Sequence, residues 1–521
     1  MLKSLEQGQP ERALEADVVI VGAGLAGLFL ANRLANRGLR LVVLESGGET
    51  QSADTHPLNT VELPEDDYRG AEHGRFRCLG GTSTRWGGAL LPYLDADLGP
   101  HPCGWHTGWG VAPHELAGHL EEVENAFAVQ AGTYEGDSAV SDLLPSFLPR
   151  LPKWPAFANR STANIFRKAI RAERGLHIWL DSTVLDIRLG PPAVSAVVAR
   201  SPGGNRLEVR ASQVVIAAGA IETTRLLLLM NRSNGGAVFP PDSPLGRGFH
   251  DHLSGPIADL DVVDLKSIVR LFSFRFVSGG MRNLRFELSP EARGQLSLPG
   301  AFLHVAFARS QQSGFEGLRQ IYQALQQRVF PPASSFAQIL GDAPWFAQAV
   351  WWRFAERRVM PASGANFQLH LVTEQTPDWG NRIELSDGQV DSFGQPLARI
   401  SWKVREADTG EFWKVATLAF DEWRAGRLMH LARPRPRDRE RVIAELVESG
   451  GIYHPAGTTR IGSDASHGVV DGNLRVHGVP GLWALATSVF PAVGGSSPSL
   501  ALMQFAARMA DDIDASLGPG R

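Results

Sequence analysis

The chain has 521 residues, 43% hydrophobic and 20% charged, with 51 lysines and arginines against 55 acids and a formal net charge of −4. That composition excludes a disordered chain and a collagen-like repeat, and its charge balance gives no reason to expect nucleic acid as a partner. Two cysteines, Cys78 and Cys103, are too few for a disulfide framework or a zinc site.

At roughly 100–200 residues per domain, the length predicts two to four domains. The N-terminal 17 residues are polar and carry no signal-peptide apolar region, and no apolar run reaches the ~20 residues that span a bilayer. A soluble, cytoplasmic protein without a transmembrane segment is the expectation. The first predicted unit is a β-branched strand over residues 17–21, followed by Gly22-x-Gly24-x-x-Gly27 and a helix to Arg37. Gly38 stops the helix, and a second strand over residues 41–44 ends in Glu45. In this βαβ unit Gly22 allows the tight turn, Gly24 lets backbone approach a pyrophosphate, and Gly27 permits helix–strand packing. Glu45, roughly 20 residues on, is placed to bind a ribose diol and would repel a 2′-phosphate, which disfavours NADP. A tight turn with no ligand is the alternative, and the spacing does not separate FAD from NAD.

Residues 80–88, GGTSTRWGG, form a glycine-dense loop. Residues 185–215 read as three or four short strands with a Gly203-Gly204-Asn205 turn. A buried strand over 213–217 runs through Ala218-Gly219 into a helix over 226–230. Residues 257–449 differ in texture, with strands at 367–372 and 398–404, amphipathic helices at 316–327 and 408–424, and most of the tryptophans. They predict a second domain, an antiparallel sheet with helices on one side. Within it the aromatic stretch 342–358, basic at its end, reads as a core helix. A wall or lid of the substrate site, or a contact with a membrane or partner, is the alternative. Glycine-rich texture returns from Gly450. The expected division is a discontinuous nucleotide-binding domain (14–110, 176–256 and 450–521), a connecting segment (111–175) and a substrate-binding domain (257–449).

Four ordered blocks then carry a resemblance. His454-Pro-Ala-Gly457-Thr-Thr-Arg-Ile-Gly462 is followed by Val469-Val-Asp471-Gly-Asn-Leu-Arg475, Leu485-Ala-Thr-Ser488 and Gly494-Gly-Ser-Ser497-Pro-Ser-Leu500. Upstream lie the N-terminal dinucleotide motif, Leu79-Gly-Gly-Thr-Ser-Thr-Arg-Trp86, and Ala218-Gly-Ala-Ile-Glu-Thr223 with Gly246-Arg-Gly-Phe-His-Asp-His252. Together they resemble the glucose–methanol–choline (GMC) oxidoreductases, in the form found in the branch of pyranose oxidases and bacterial sugar dehydrogenases. The resemblance covers the cofactor segments from end to end and is weak over the middle of the chain. It implies an α/β protein in which a Rossmann-like FAD-binding domain joins a second α+β substrate domain.

By that resemblance Gly81, Thr82, Ser83, Arg85 and Trp86 line the flavin, and Val184 meets the adenine edge through its backbone. Ala218 and Gly219 join the cofactor site, and Thr487 and Ser488 approach the pyrophosphate. Pro498 and Ser499 open a terminal helix whose positive end faces the flavin pyrimidine, where reduction places negative charge. His454 falls at the family's catalytic position, as the base that takes a hydroxyl proton while hydride leaves for flavin N5. A histidine that only shapes its His-Pro turn is the alternative. His250, His252, His467 and His477 sit in turns and read as structural. Ser497 stands at the second catalytic position, where Asn or His is usual, and can hydrogen-bond substrate but not act as a base at neutral pH. Arg85 stands where covalent members carry a flavin-bonding histidine, so FAD is expected without a covalent tether.

The implied activity is oxidation of a CH–OH group of a sugar, glycoside or other small alcohol, with oxygen, a quinone or a protein as electron acceptor. A non-redox lyase on the same scaffold and a catalytically silent electron-relay flavoprotein are the alternatives. Histidines and acids take no ligand spacing, so no metal site is expected, and no G-x-S-x-G supports a serine hydrolase.

Overall fold

The computed structural model describes residues 1–518 apart from 8–9, 54–55, 66–67, 69, 173–174, 191–192, 309–312, 327–329 and 450. Gly450 and Gln327, which bound two of the predicted segments, therefore lie outside the described residues. Four consecutive β-branched residues make the strand Val18–Val21, and all four are buried. A strand apolar on both faces belongs at the centre of a covered parallel sheet, where burying each Val or Ile contributes about 1.5–3 kcal/mol. Leu41–Leu44, Leu176–Leu180 and Leu2–Ser4 extend the sheet on one side of it, and Gln213–Ile216 and Leu482–Ala484 on the other, all parallel. The strand order thus reverses at Val18–Val21. Helix α1 (Leu25–Ala35) leaves its C-terminal end and α2 (Ala220–Ser233) that of Gln213–Ile216, opening the crevice where such sheets bind ligands.

Leu2–Ser4 and Glu11–Glu15 correct the expectation that order begins at residue 17. Each is an edge strand, pairing in parallel with residues 178–180 and 206–210 respectively. The partners lie some two hundred residues along the chain, beyond any local pattern.

The second core lies under a six-stranded antiparallel sheet in the order Ala432–Pro436, His252–Val262, Asn366–Glu374, Ala301–Ala308, Arg285–Leu288 and Phe147–Arg150. The helix Glu406–Ala425 buries Phe412, Val415, Ala416, Ala419 and Trp423 at spacings of three and four, one apolar stripe against that core. Strand alternation sends Leu253, Phe286, Leu303, Val305, Leu369 and Leu371 into the same core. Their neighbours His252, Arg285, Glu287, Phe302, His304 and Glu374 consequently share the opposite face of the sheet.

Helices α3 (Ala333–Gly341) and α4 (Ala343–Phe354) overturn the core-helix expectation for 342–358. Val350, Trp351 and Phe354 are exposed by 57%, 65% and 74%, while Trp345, Phe346 and Trp352 turn inward. Apolar residues occupy both stripes of α4, so its pattern does not say which one faces in.

The terminal helix α5 (Ser499–Leu517) packs beside α1 in the first core, where Arg37 Nη1 donates to Asp514 Oδ2 at 2.7 Å. Residues 111–175 divide between the cores: Val123, Phe127 and Ile170 join the first, and Leu143, Leu144 and Phe147 the second. Tyr68 and Ala71 also join the second. No helix among the described residues is long and apolar enough to cross a membrane.

Candidate active site

One cleft is lined by Gly22, Gly24, Glu45, Gly81, Thr82, Val184, Ala218, Gly219, Thr487, Pro498 and Ser499, and also by His454. Helices α1, α2 and α5 begin on it, with Gly24, Gly219 and Pro498 as their N-caps, and none has a side-chain cap. Their first N–H groups therefore lack a side-chain acceptor, and three positive helix ends border one space. Gly22 has φ +104°, and a Cβ on it would stand 2.6 Å from the Ala217 carbonyl oxygen. At Gly24 a Cβ would meet nothing within 4 Å and would project into open space. Glu45 is buried, accepting from Ala23 N and Gly47 N at 2.9 Å each. Burial raises its pKa, while those two N–H groups and Arg77 pull it back.

Arg75 and Arg77 also line the cleft. Arg77 pairs with Glu222 at 3.1 Å, and Arg225 holds the other carboxylate oxygen at 2.9 Å. Burial would raise Glu222, but Arg225, Arg77 and Arg75 bring it down to about 2. The Thr183 hydroxyl, on the same wall, is enclosed without a partner among the described residues. Helix ends, guanidinium groups, close backbone and an unsatisfied hydroxyl fit a dinucleotide that carries two phosphates and a ribose.

Several expected cofactor residues lie elsewhere. Arg85 is exposed over a separate crevice with Glu49 and Ser161, because its loop turns outward there. The Trp86 indole donates to the Arg160 carbonyl at 2.8 Å and packs against Phe127 instead. Ser83 closes its own turn onto the Gly80 carbonyl at 2.5 Å. Ser488 is buried and accepts from Thr459 at 2.7 Å. Gly27 packs against the Gly22 backbone rather than bordering the cleft.

His454 follows Tyr453, a cleft residue at φ +68°. Its Nδ1 lies 3.0 Å from Nδ1 of His252, and His252 Nε2 lies 2.8 Å from the Gly494 carbonyl oxygen. Burial lowers the pKa of both rings, and for His454 the adjacent His252 and Arg285 add to it, down to about 3. Both imidazoles are therefore neutral at neutral pH. A carbonyl only accepts, so His252 carries its proton on Nε2 and offers a lone pair at Nδ1. His454 must then carry its proton on Nδ1, which leaves Nε2 with a free lone pair. Gly494 is itself anchored, its N–H donating to Glu374 at 2.6 Å.

Asp251, His252 and His454 bring one ligand-type atom each within 4.8 Å of one another, a grouping that the sequence spacing does not show. Both carboxylate oxygens of Asp251 already accept within the fold: Oδ1 from His252 N at 2.6 Å and His454 N at 3.0 Å, and Oδ2 from Tyr68 at 2.6 Å. Ser497 is half-buried on the turn before α5 and makes no hydrogen bond to a described residue.

Comparison with known proteins agrees with this geometry. A profile described as FAD dependent oxidoreductase matches residues 17–243, and one described as GMC oxidoreductase matches residues 377–506. The chain belongs to the GMC oxidoreductases.

This GMC oxidoreductase is 21% identical to the fructose dehydrogenase large subunit of Gluconobacter japonicus, over 96% of its own chain and 98% of that protein. It is 24% identical to paromamine 6'-oxidase of Streptomyces fradiae, over 96% and 92%. With an oxygen-dependent choline dehydrogenase of Chromohalobacter salexigens the identity is 25%, over 96% and 95%. In fold it resembles the R554K variant of Aspergillus oryzae formate oxidase, with a TM-score of 0.58 and 18% identity over 97% of this chain and 99% of that one. An FAD-dependent oxidoreductase from Chaetomium thermophilum gives a TM-score of 0.58 and 16% identity over 96% and 99%. As an FAD-dependent GMC oxidoreductase, the protein presents a neutral imidazole pair at its cofactor cleft. His252 is the site residue that sequence reasoning missed. Its only signal is the His-Asp-His run at 250–252, which does not reveal a ring turned toward residue 454.

Proposed function

We propose that this GMC oxidoreductase oxidises a CH–OH carbon of a sugar, glycoside or other small polyol, with His454 as the base. The observation that carries this reading is the hydrogen-bonded sequence Gly494 carbonyl, His252, His454, which leaves His454 Nε2 unprotonated beside the cofactor cleft. The names of the relatives fit the same class: fructose, paromamine and choline are all hydroxyl compounds. When bound, FAD supplies the hydride-accepting ring and passes the electrons to oxygen, a quinone or a protein acceptor. Around it, Glu45 and Val184 hold the adenosine half, and the ends of α1, α2 and α5 hold charge. His454 takes the hydroxyl proton on Nε2 as the C–H bond breaks, giving the carbonyl product, and Ser497 donates to the substrate oxygen. The same reading includes the domain division drawn from the sequence, kinship with the pyranose oxidase branch, and a cytoplasmic location, which the two free cysteines suit.

Anaerobic mixing with a panel of polyols tests the reaction. The wild-type flavin band bleaches, and His454→Ala slows bleaching by about 10²–10⁴. Bleaching that His454→Ala leaves unchanged places the base elsewhere, and substrate turnover without bleaching favours the lyase. FAD is held without a covalent bond in this reading, since Arg85 lies off the cleft. Acid precipitation then leaves the yellow colour in the supernatant, and colour in the pellet refutes it.

A further inference from the structure

The face of the antiparallel sheet that carries His252 also buries Arg285, a cation the reaction above does not use. Arg285 is 9% exposed, forms no ion pair among the described residues, and encloses an unpartnered Nε. No hydrogen bond to a described residue satisfies any of its nitrogens. Strand register pairs Phe286 with Leu303 and Glu287 with Phe302. The next rung therefore sets Arg285 beside His304, whose Nδ1 is also enclosed and has no partner among the described residues. On the other side Arg285 pairs with Arg150. Glu287, two residues along the same face, gives Oε2 to Arg150 Nη1 at 2.7 Å, and its Oε1 has no hydrogen-bond partner among the described residues, so Glu287 meets Arg285 only through its field and balances one of the two guanidinium groups. Positive charge is left over at Arg285.

Aromatic stacking does not account for that charge. The guanidinium lies 4.7 Å from the Phe302 ring centre and 5.5 Å from that of Trp154. Ring faces orient the guanidinium plane but leave its in-plane N–H donors unused. A buried cation without acceptors is costly, and a fold sustains it where a ligand provides them. The reacting groups are close by. A Cβ on Gly495 would stand 2.9 Å from Glu287 Oε1, so the turn bearing Gly494 and Ser497 packs on this face. The charge of Arg285 also reaches His252 and His454.

We propose that Arg285, with His304 beside it, binds an oxyanion of the substrate, so that the alcohol oxidised here carries a carboxylate or a phosphate. The inference rests on the alcohol oxidation proposed above and narrows its substrate to sugar acids or sugar phosphates. A planar guanidinium can meet either oxyanion with two parallel N–H bonds, which orients the substrate as well as holding it. Anchoring a remote group in this way fixes the reacting carbon against the cleft. The oxyanion also cancels the charge that opposes a proton on His454, so the base strengthens when the right substrate docks.

The holoenzyme is titrated with inorganic phosphate and, separately, with acetate while the flavin visible spectrum is followed, and kcat/KM is compared for glucose, glucuronate and glucose 6-phosphate. A saturable spectral change with one oxyanion is expected in the wild type and in His454→Ala, and it is lost in Arg285→Met. The anionic sugar is expected to exceed glucose at least tenfold in kcat/KM, a ratio that collapses toward one in Arg285→Met and recovers in part in Arg285→Lys. Whichever of phosphate or acetate binds names the oxyanion. No spectral change with either ion overturns the proposal, as does a change that survives in Arg285→Met or a preference for glucose in the wild type. Oxyanion binding by a holoenzyme that bleaches with no sugar upholds the anion site and refutes the alcohol oxidation instead. Thermal unfolding of Arg285→Lys and Arg285→Met checks that each variant is folded.

Discussion

His252 and His454, with Nδ1 atoms 3.0 Å apart, share one proton between facing nitrogens, so the tautomer of one dictates that of the other. The Gly494 carbonyl makes that choice at the far end. With His454 as the proposed base, His252 is a positioning residue, since it would act on substrate only through His454. In His252→Phe the rotation and tautomer of His454 are released, and kcat falls about 10–100-fold, as for other orienting partners and less than the ~10²–10⁴ lost with a base itself. A merely structural role would not move the pH profile, whereas this one does. Burial comes first and His252 second among the causes that hold His454 down to about 3. Removing His252 therefore raises the pKa of His454, and the acid limb of kcat/KM moves to higher pH. An unmoved limb in a folded variant removes His252 from the reaction.

The glycines of α1 do different work although they share one motif. A Cβ on Gly27 would stand 2.0 Å from the Gly22 carbonyl oxygen, backbone that has no room to give. A Cβ on Gly24 would meet no protein atom within 4 Å. Gly27→Ala is expected to cost about 1–3 kcal/mol of stability through overpacking, seen as a lowered Tm of the apoprotein. Gly24→Ala is expected to leave the apoprotein Tm unchanged and to weaken FAD retention on gel filtration. Equal Tm losses in the two variants contradict this division of labour. The motif was legible in sequence because strand, glycines and helix are contiguous. The orientation of α4 was not, because its two apolar stripes differ in partners rather than in composition.

Across the whole molecule, buried histidines make stability depend on pH. Burial holds His106, His250 and His370 at about 4 and His454 at about 3. Below the ordinary histidine value of about 6.5 the unfolded chain takes up protons at these four rings and the folded protein does not. Their contribution is thus complete above about pH 6.5 and is lost as pH falls toward 4. Asp251 and Glu287 act in the opposite sense, since burial raises them to about 6 and about 7, so the folded state binds protons there first. His119, His252 and His304 are lowered as well, and Glu45, Glu411 and Asp512 raised, so the lowered rings outnumber the raised carboxyls and unfolding takes up protons near pH 5.5. Thermal unfolding between pH 8 and pH 5 should show Tm falling below about pH 6.5, and a flat or rising Tm refutes this balance.

Wherever the chemistry lies along contiguous residues, the sequence alone determined it: the strand–glycine–helix unit with Glu45, the His454 turn, and the flavoprotein family these blocks resemble. Strand and helix periods likewise foretold an antiparallel domain in the middle of the chain. Only the tertiary structure turned Arg85 and Trp86 away from the cleft, added two N-terminal edge strands, and set His252 against His454 across 202 positions. Only it placed Arg285 beside His304 on the face that His252 occupies. Local order follows from neighbours in the chain, whereas a proton's position or a buried charge depends on groups that only folding brings together.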